Sequence, residues 1–266
     1  MAEKKTHTIV AVDATDEAPK KKIATSAKKK VNENGQTVIE VTESGNATPY
    51  RIGAVVLWLL AITAEIIAIL TVFGKINFTF LGTTTILVGL IVIDLICVII
   101  GSLLWKKSNK IDPASKKNKA TFWIWNNLGL IVAIFAFLPL IILMAKDKDK
   151  LDKKTKTVCI IAAACALVIG GLCSIDYNPI SKEEKEAAEA AINQDVYWST
   201  YGKVYHLDED CSALNNSDTL YNGSVDAAIE KGRTRLCSFC AKRHEVNTEG
   251  LMTDGNEDAA EEEADE

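Results

Sequence analysis

Four long apolar runs, 52–73, 81–105, 122–145 and 158–175, constrain this chain more than any other feature. A helix needs roughly 20 mainly apolar residues to cross the hydrocarbon core of a bilayer, and all four runs are close to that length. A helix of a water-soluble protein keeps a polar face at helical period. Stretches such as VGLIVIDLICVII and IVAIFAFLPLIILM have none. The expected fold class is therefore an all-α polytopic membrane protein of four helices. The fourth run, rich in Ala and Gly, is the weakest of them. Trp58, Trp105, Trp123 and Trp125 fall near run ends, where an amphipathic ring suits the interfacial layer.

The runs occupy about half of the 266 residues and leave too little for a large soluble enzyme domain. Residues 1–50 form a Lys-rich arm with no aromatic side chain before Tyr50, expected to be disordered. Within it, TVIEVT (37–42) is β-prone but has no evident partner strand, and reads as a piece of linker. No apolar core of signal-peptide type precedes the first run, which is expected to serve as its own insertion signal. After the membrane region (51–175) the expected order is a helical spacer (176–195, SKEEKEAAEAAI), a small module (196–246) and an acidic disordered tail (247–266). From Asp176 onward there are 22 acidic against 8 basic side chains, which argues against nucleic acid as a partner for that segment.

Lys and Arg in short connections resist translocation, so their distribution orients the chain. The arm through Arg51 holds nine, the first connection only Lys75, and the second six between Lys106 and Lys119. This pattern puts the N-terminus in the cytoplasm and the first hairpin outside. The third connection, with six lysines between Lys146 and Lys156, breaks the rule. Either all four runs cross and the C-terminal module is cytoplasmic, the preferred reading, or one of the last two fails to cross and the module is extracytoplasmic. Asn126, Asn127, Gly129 and Pro139 make the third run the candidate for an irregular path.

Two carboxylates, Glu65 and Asp94, lie inside the first and second runs. A charge there costs a few kcal/mol on insertion scales, so each needs a partner or water. In an antiparallel pair of helices they fall within about a turn of one another. They are either hydrogen-bonded glue between helices or an ion or proton site.

The C-terminal module carries the most specific chemistry. Two β-prone pieces around Tyr201-Gly202 predict a hairpin, and Ser224 and Gly232 bracket a short helix, 225–231. A unit this small needs a staple. His206 and Cys211 (H-x4-C) with Cys237 and Cys240 (C-x2-C) form a His plus three-thiolate set suited to tetrahedral, structural Zn2+. Three cysteines with one histidine also account for the odd cysteine number in the tail. Cys97, Cys159, Cys165 and Cys173 fall inside apolar runs and read as packing residues. His7 and His244 have no ligand partner at useful spacing.

The pattern YWSTYGKVYHLDEDCSAL, DAAIEKG and LCSFC, over about 196–242, resembles a small His/Cys domain found appended to secreted bacterial nucleases and to membrane proteins. It is also distantly similar to the N-terminal zinc domain of the bacterial alkyl-phosphotriester repair protein. The resemblance implies His206, Cys211, Cys237 and Cys240 as ligands, with Gly202, Tyr205 and Ala228 as framework. It implies no reaction, because one ligand here is His and the surroundings are acidic. The chain is thus expected to be a membrane protein presenting a small zinc-knuckle-like α+β module to a protein or ligand, with no catalytic activity. The alternative is a small transporter or channel component working through Glu65 and Asp94.

Overall fold

A computed structural model describes residues 29–42, 45–76, 81–146 and 151–254. The Lys20–Lys22 cluster and the acidic stretch 255–266, both expected to be disordered, lie outside the described residues. Four helices are long and apolar enough to cross a membrane, with mean hydropathies of 2.3 to 2.9 over their best windows. They are α1 (Thr48–Val72), α2 (Thr83–Ile111), α4 (Leu128–Lys146) and α5 (Lys153–Ser174).

The inward surfaces of these helices carry small residues. Ala54, Ala61 and Ala68 recur every seven positions along α1, and Cys159, Ala163, Ala166 and Gly170 line α5. Lipid tails are as apolar as Leu, so close backbone approach rather than hydrophobic exclusion holds such helices together. At Gly101 a Cβ would stand 2.6 Å from Trp58 Nε1, so glycine is what lets the Trp58 ring lie against α2. The outward surfaces carry Leu59, Ile96, Phe135, Ile161 and Val168, all exposed. Apolar side chains all round a helix belong in lipid.

The third run is broken. Its first part is a separate short helix, α3 (Lys119–Asn126), and α4 begins only at Leu128. The Asn126 and Asn127 side-chain amides donate to the carbonyls of Phe122 and Trp123, a local alternative to helix continuation. The 19 residues of α4 still span about 28 Å, near the hydrocarbon thickness. Trp58 and Trp105, expected near the interfacial layer, are buried: their rings meet at a tilt with centroids 5.4 Å apart, and Trp105 meets Trp125 in the same way at 5.1 Å. Trp123 does face outward.

The head sits at the end of the bundle where α2 finishes. It contains α6 (Lys182–Ala191), β3 (Val196–Ser199), β4 (Val204–Tyr205), β5 (Thr219–Gly223), α7 (Val225–Glu230), β6 (Arg235–Leu236) and α8 (Ser238–Arg243). The 29 residues of α2 extend about 43 Å, more than a bilayer core, so its last turns project and pack on α7.

The N-terminal arm supplies what sequence reading denied it. Residues 29–31 and 37–40 form strands β1 (Lys29–Val31) and β2 (Thr37–Glu40), and β2 pairs in parallel with β5 in the register Val38↔Leu220 and Ile39↔Tyr221. The TVIEVT segment therefore has a partner, and the four-stranded order is β1-β2-β5-β3. Parallel neighbours require a long crossover. Here the crossover is the entire membrane bundle, which puts the arm and the head on the same face of it.

The head's core is also wider than 196–246. Ile180, Ala188 and Ile192 of the supposed spacer are buried in it, as is Leu251 of the supposed tail. Leu236 donates its N–H to Met252 O (2.8 Å), tying that segment to β6.

Candidate metal centre

The four predicted ligands lie far apart in sequence, and one short strand pair joins them. β4 and β6 run parallel with Tyr205 opposite Leu236. The residue following each strand is a candidate ligand, His206 after one and Cys237 after the other, and Cys237 N donates to Tyr205 O (2.9 Å). The hairpin between β3 and β4 forms in reduced form, through reciprocal bonds between Tyr197 and His206 (2.8 and 2.7 Å) that fix the His206 backbone. Cys211 precedes a single 3-10 turn, Ser212–Leu214, and Cys237 precedes α8, which carries Cys240 one turn on.

The ligand atoms of His206, Cys211, Cys237 and Cys240 all lie within 4.8 Å of one another, and all four residues are buried. In a tetrahedral site with bonds of about 2.0–2.3 Å, ligand atoms stand roughly 3.3–3.8 Å apart. The cluster needs only a small contraction to close on one ion. Cys240 Sγ stands 3.9 Å from His206 Nδ1, and the backbone N–H groups of Leu207 and Asp208 point at that sulfur. The hydrogen bond from the Cys240 thiol, with a second from His206, holds the Cys237 thiol well below its ordinary range, and the same contact with Cys237 pushes the Cys240 thiol up. The donor set, its burial and the N–H groups directed at sulfur suit a thiolate-bound cation.

One brace beside the cluster was missed in the sequence. His244, read as an unpartnered surface residue, meets Asp208 at 2.8 Å, and Arg243 reaches Asp208 at 2.9 Å and Asp210 at 3.4 Å. These contacts tie the loop between His206 and Cys211 to the end of α8. Burial pushes the Asp208 carboxyl up, but the bonds from His244 and Arg243 outweigh it and hold the group below its usual range. The signal was in the sequence as opposite charges at 208–210 and 243–244.

The helix framework matches expectation closely. Ser224 Oγ caps α7 by accepting from Ala227 N (3.0 Å). Gly232, at φ +88°, ends the helix with bonds from Gly232 N to Ile229 O and from Arg233 N to Ala228 O. Gly202 takes a bond from its own N–H to Ser199 Oγ (3.0 Å) in the hairpin turn.

Glu65 and Asp94 both point into the bundle, at 6% and 2% exposure. Glu65 Oε1 accepts the backbone N–H of Leu140 (3.1 Å), one residue beyond Pro139. Pro139 removes one rung of the helical ladder, and this carboxyl supplies an acceptor for the N–H beside that gap. Asp94 lies within electrostatic reach of Glu65, and its Oδ1 has no hydrogen-bond partner among the described residues.

Taken together, these features define a helical bundle of membrane-crossing dimensions carrying a small α+β head with a buried His/Cys cluster that can hold a metal ion. No protein-family model matches the chain, and no curated protein or solved structure matches it either.

Proposed function

We propose that this chain is a multi-pass membrane protein whose head, stapled by one structural Zn2+, binds or senses a protein or ligand at the bilayer surface. The convergence of four buried ligand atoms within 4.8 Å carries this reading. Four protein ligands leave a tetrahedral ion no open position, so the metal serves as a staple rather than a Lewis acid. The Lys-rich arm and second connection favour a cytoplasmic location for the N-terminus and, on the same face of the bundle, for the head. The lysines of the third connection, interleaved with Asp147, Asp149 and Asp152, are then an exception on the opposite side. Elemental analysis of the purified full chain tests the zinc assignment. Zinc at about one ion per chain, reduced to background in Cys237→Ser, supports it. A metal-free wild type, or a zinc content unchanged by the substitution, contradicts it.

A second reading rests on Asp94, a buried carboxyl inside the helical bundle whose Oδ1 has no hydrogen-bond partner among the described residues. Such groups mark ion and proton paths in membrane proteins. In this reading the chain is a small transporter or channel component using Glu65 and Asp94. Cation- or proton-dependent flux into vesicles that Asp94→Asn abolishes, while the fold and the bound metal persist, selects it over the first.

A further inference from the structure

Where the bundle meets the head, a cleft of about 340 Å3 opens that has no part in the metal centre. Lys106, Lys107 and Lys110 reach it from the last turns of α2, and Lys231 from the C-cap of α7. Its apolar edge is Leu103, which faces outward, and Ile175, where α5 ends. Two of the lysines have local partners. Lys106 Nζ donates to the carbonyls of Cys173 (2.7 Å) and Ile175 (3.3 Å), and Lys107 lies over the Tyr50 ring at 4.3 Å. Lys110 and Lys231 make no ion pair among the described residues.

Two acids, Asp176 and Glu230, line the cleft beside the four lysines and offset part of their charge, Asp176 acting on Lys106. Asp176 Oδ1 accepts the Asn178 N–H (3.1 Å), and Glu230, 7% exposed, accepts the Gly45 N–H (3.1 Å). The cleft is left with a surplus of cations whose mutual repulsion an anion would relieve. Its depth limits what that anion is. With the four apolar helices embedded in a bilayer, the projecting end of α2 and the exit of α5 would reach the level of lipid headgroups, with Tyr177 exposed beside them and its hydroxyl donating to Leu172 O (3.2 Å). The anion abundant at that level is the phosphate of an acidic phospholipid, and basic pockets at helix ends are suited to such headgroups.

We propose that this cleft binds the phosphate of an anionic lipid headgroup, with Lys110 and Lys231 as its principal contacts, so that one lipid bridges the membrane bundle and the head. The site goes beyond the zinc-stapled head and depends only on the bundle being embedded in lipid. Free phosphate shares the chemistry but not the apolar edge formed by Leu103 and Ile175.

The test uses the full chain in vesicles of equal parts phosphatidylcholine and phosphatidylglycerol, released gently and weighed by native mass spectrometry. Wild type should retain phosphatidylglycerol in preference to phosphatidylcholine. The double variant Lys110→Gln, Lys231→Gln should lose that preference by roughly tenfold or more, since each lysine near a charged surface contributes about fivefold. Lys203→Gln, on the exposed hairpin turn, should retain it, and bound metal should be equal in all three proteins. No lipid preference in wild type, or equal retention in the double variant, overturns the proposal. In a parallel arm the chain is titrated with inorganic phosphate in neutral detergent. Binding there that depends on Lys110 and Lys231, without lipid retention, would reassign the cleft to a soluble phosphate and likewise overturn the lipid assignment.

Discussion

Glu65, one of whose two expected roles was hydrogen-bonded glue between helices, has a specific acceptor task that the sequence alone did not locate. Its Oε1 takes the Leu140 N–H next to Pro139, across two helices. Glu65→Gln keeps an acceptor of the same reach and should leave the thermal stability of the bundle nearly unchanged. Glu65→Ala leaves that N–H buried and unpaired and should cost about 1–3 kcal/mol, read from the denaturation midpoint in detergent. Equal stability of the two variants would remove the structural role. The residues of the His/Cys cluster were legible, because few residue types can bind a soft cation and their spacing is restrictive. The brace formed by His244, Arg243 and Asp208 was not, since surface charges recur throughout the tail and only folding selects which of them meet. His244→Ala removes one partly exposed contact and should weaken the head by no more than about 1 kcal/mol.

At the scale of elements, β2 is the least anticipated piece. TVIE was recognisable as β-prone, but its partner β5 lies some 180 positions away beyond the membrane bundle, and pairing over that distance leaves no local trace. Strand β2 adds Val38 to the core of the head and donates Thr37 N to Asp218 O (3.0 Å). Ile39→Pro removes a ladder donor from the same strand and should lower the unfolding temperature of the head while leaving the helical bundle intact. A head insensitive to this change would mean that the pairing contributes nothing to its stability.

Helix α6, read as a spacer, was correctly expected to be helical: Ser181 and Glu184 form a full capping box. Its docking was hidden in residues with ordinary solvent-facing chemistry. Glu183 takes hydrogen bonds from the Ser115 hydroxyl and from Lys116 N (2.9 Å), which hold its carboxyl at about 2 instead of 4.5. A depressed value means the contact favours the docked state above pH 4.5, and that preference fades as pH falls from 4.5 toward 2. Site-specific titration of Glu183 by NMR should place its midpoint well below 4.5. A midpoint at the ordinary value would show that the carboxyl does not dock on the second connection.

For the molecule as a whole, the four-helix base was legible because length and apolarity alone define such helices. The broken third run was foreshadowed by Asn126 and Asn127. The relation between base and head was not, because it depends on a parallel strand pair and on the projecting turns of α2. That pairing has a topological consequence. Cysteines introduced at Glu33 and Thr248 should react with an impermeant thiol reagent from the same side of the membrane, and one at Lys75 from the other. Labelling of Glu33 and Thr248 from opposite sides would rule out the β2–β5 pair in the embedded protein. The same arrangement means that a head expressed without residues 29–42 lacks one of its central strands, so its stability is best measured in the intact chain.

The central claim is that one metal ion ties the hairpin bearing His206 and Cys211 to the turn bearing Cys237 and Cys240. Its most direct test is hydrogen exchange of the full chain in lipid nanodiscs, with bound zinc and after removal of all divalent cations by a chelator. The account predicts that protection is lost through β4, β6 and α8 on chelation, returns when zinc is added back, and is unchanged in the membrane helices. Protection of those head segments that persists with the metal stripped away would contradict it.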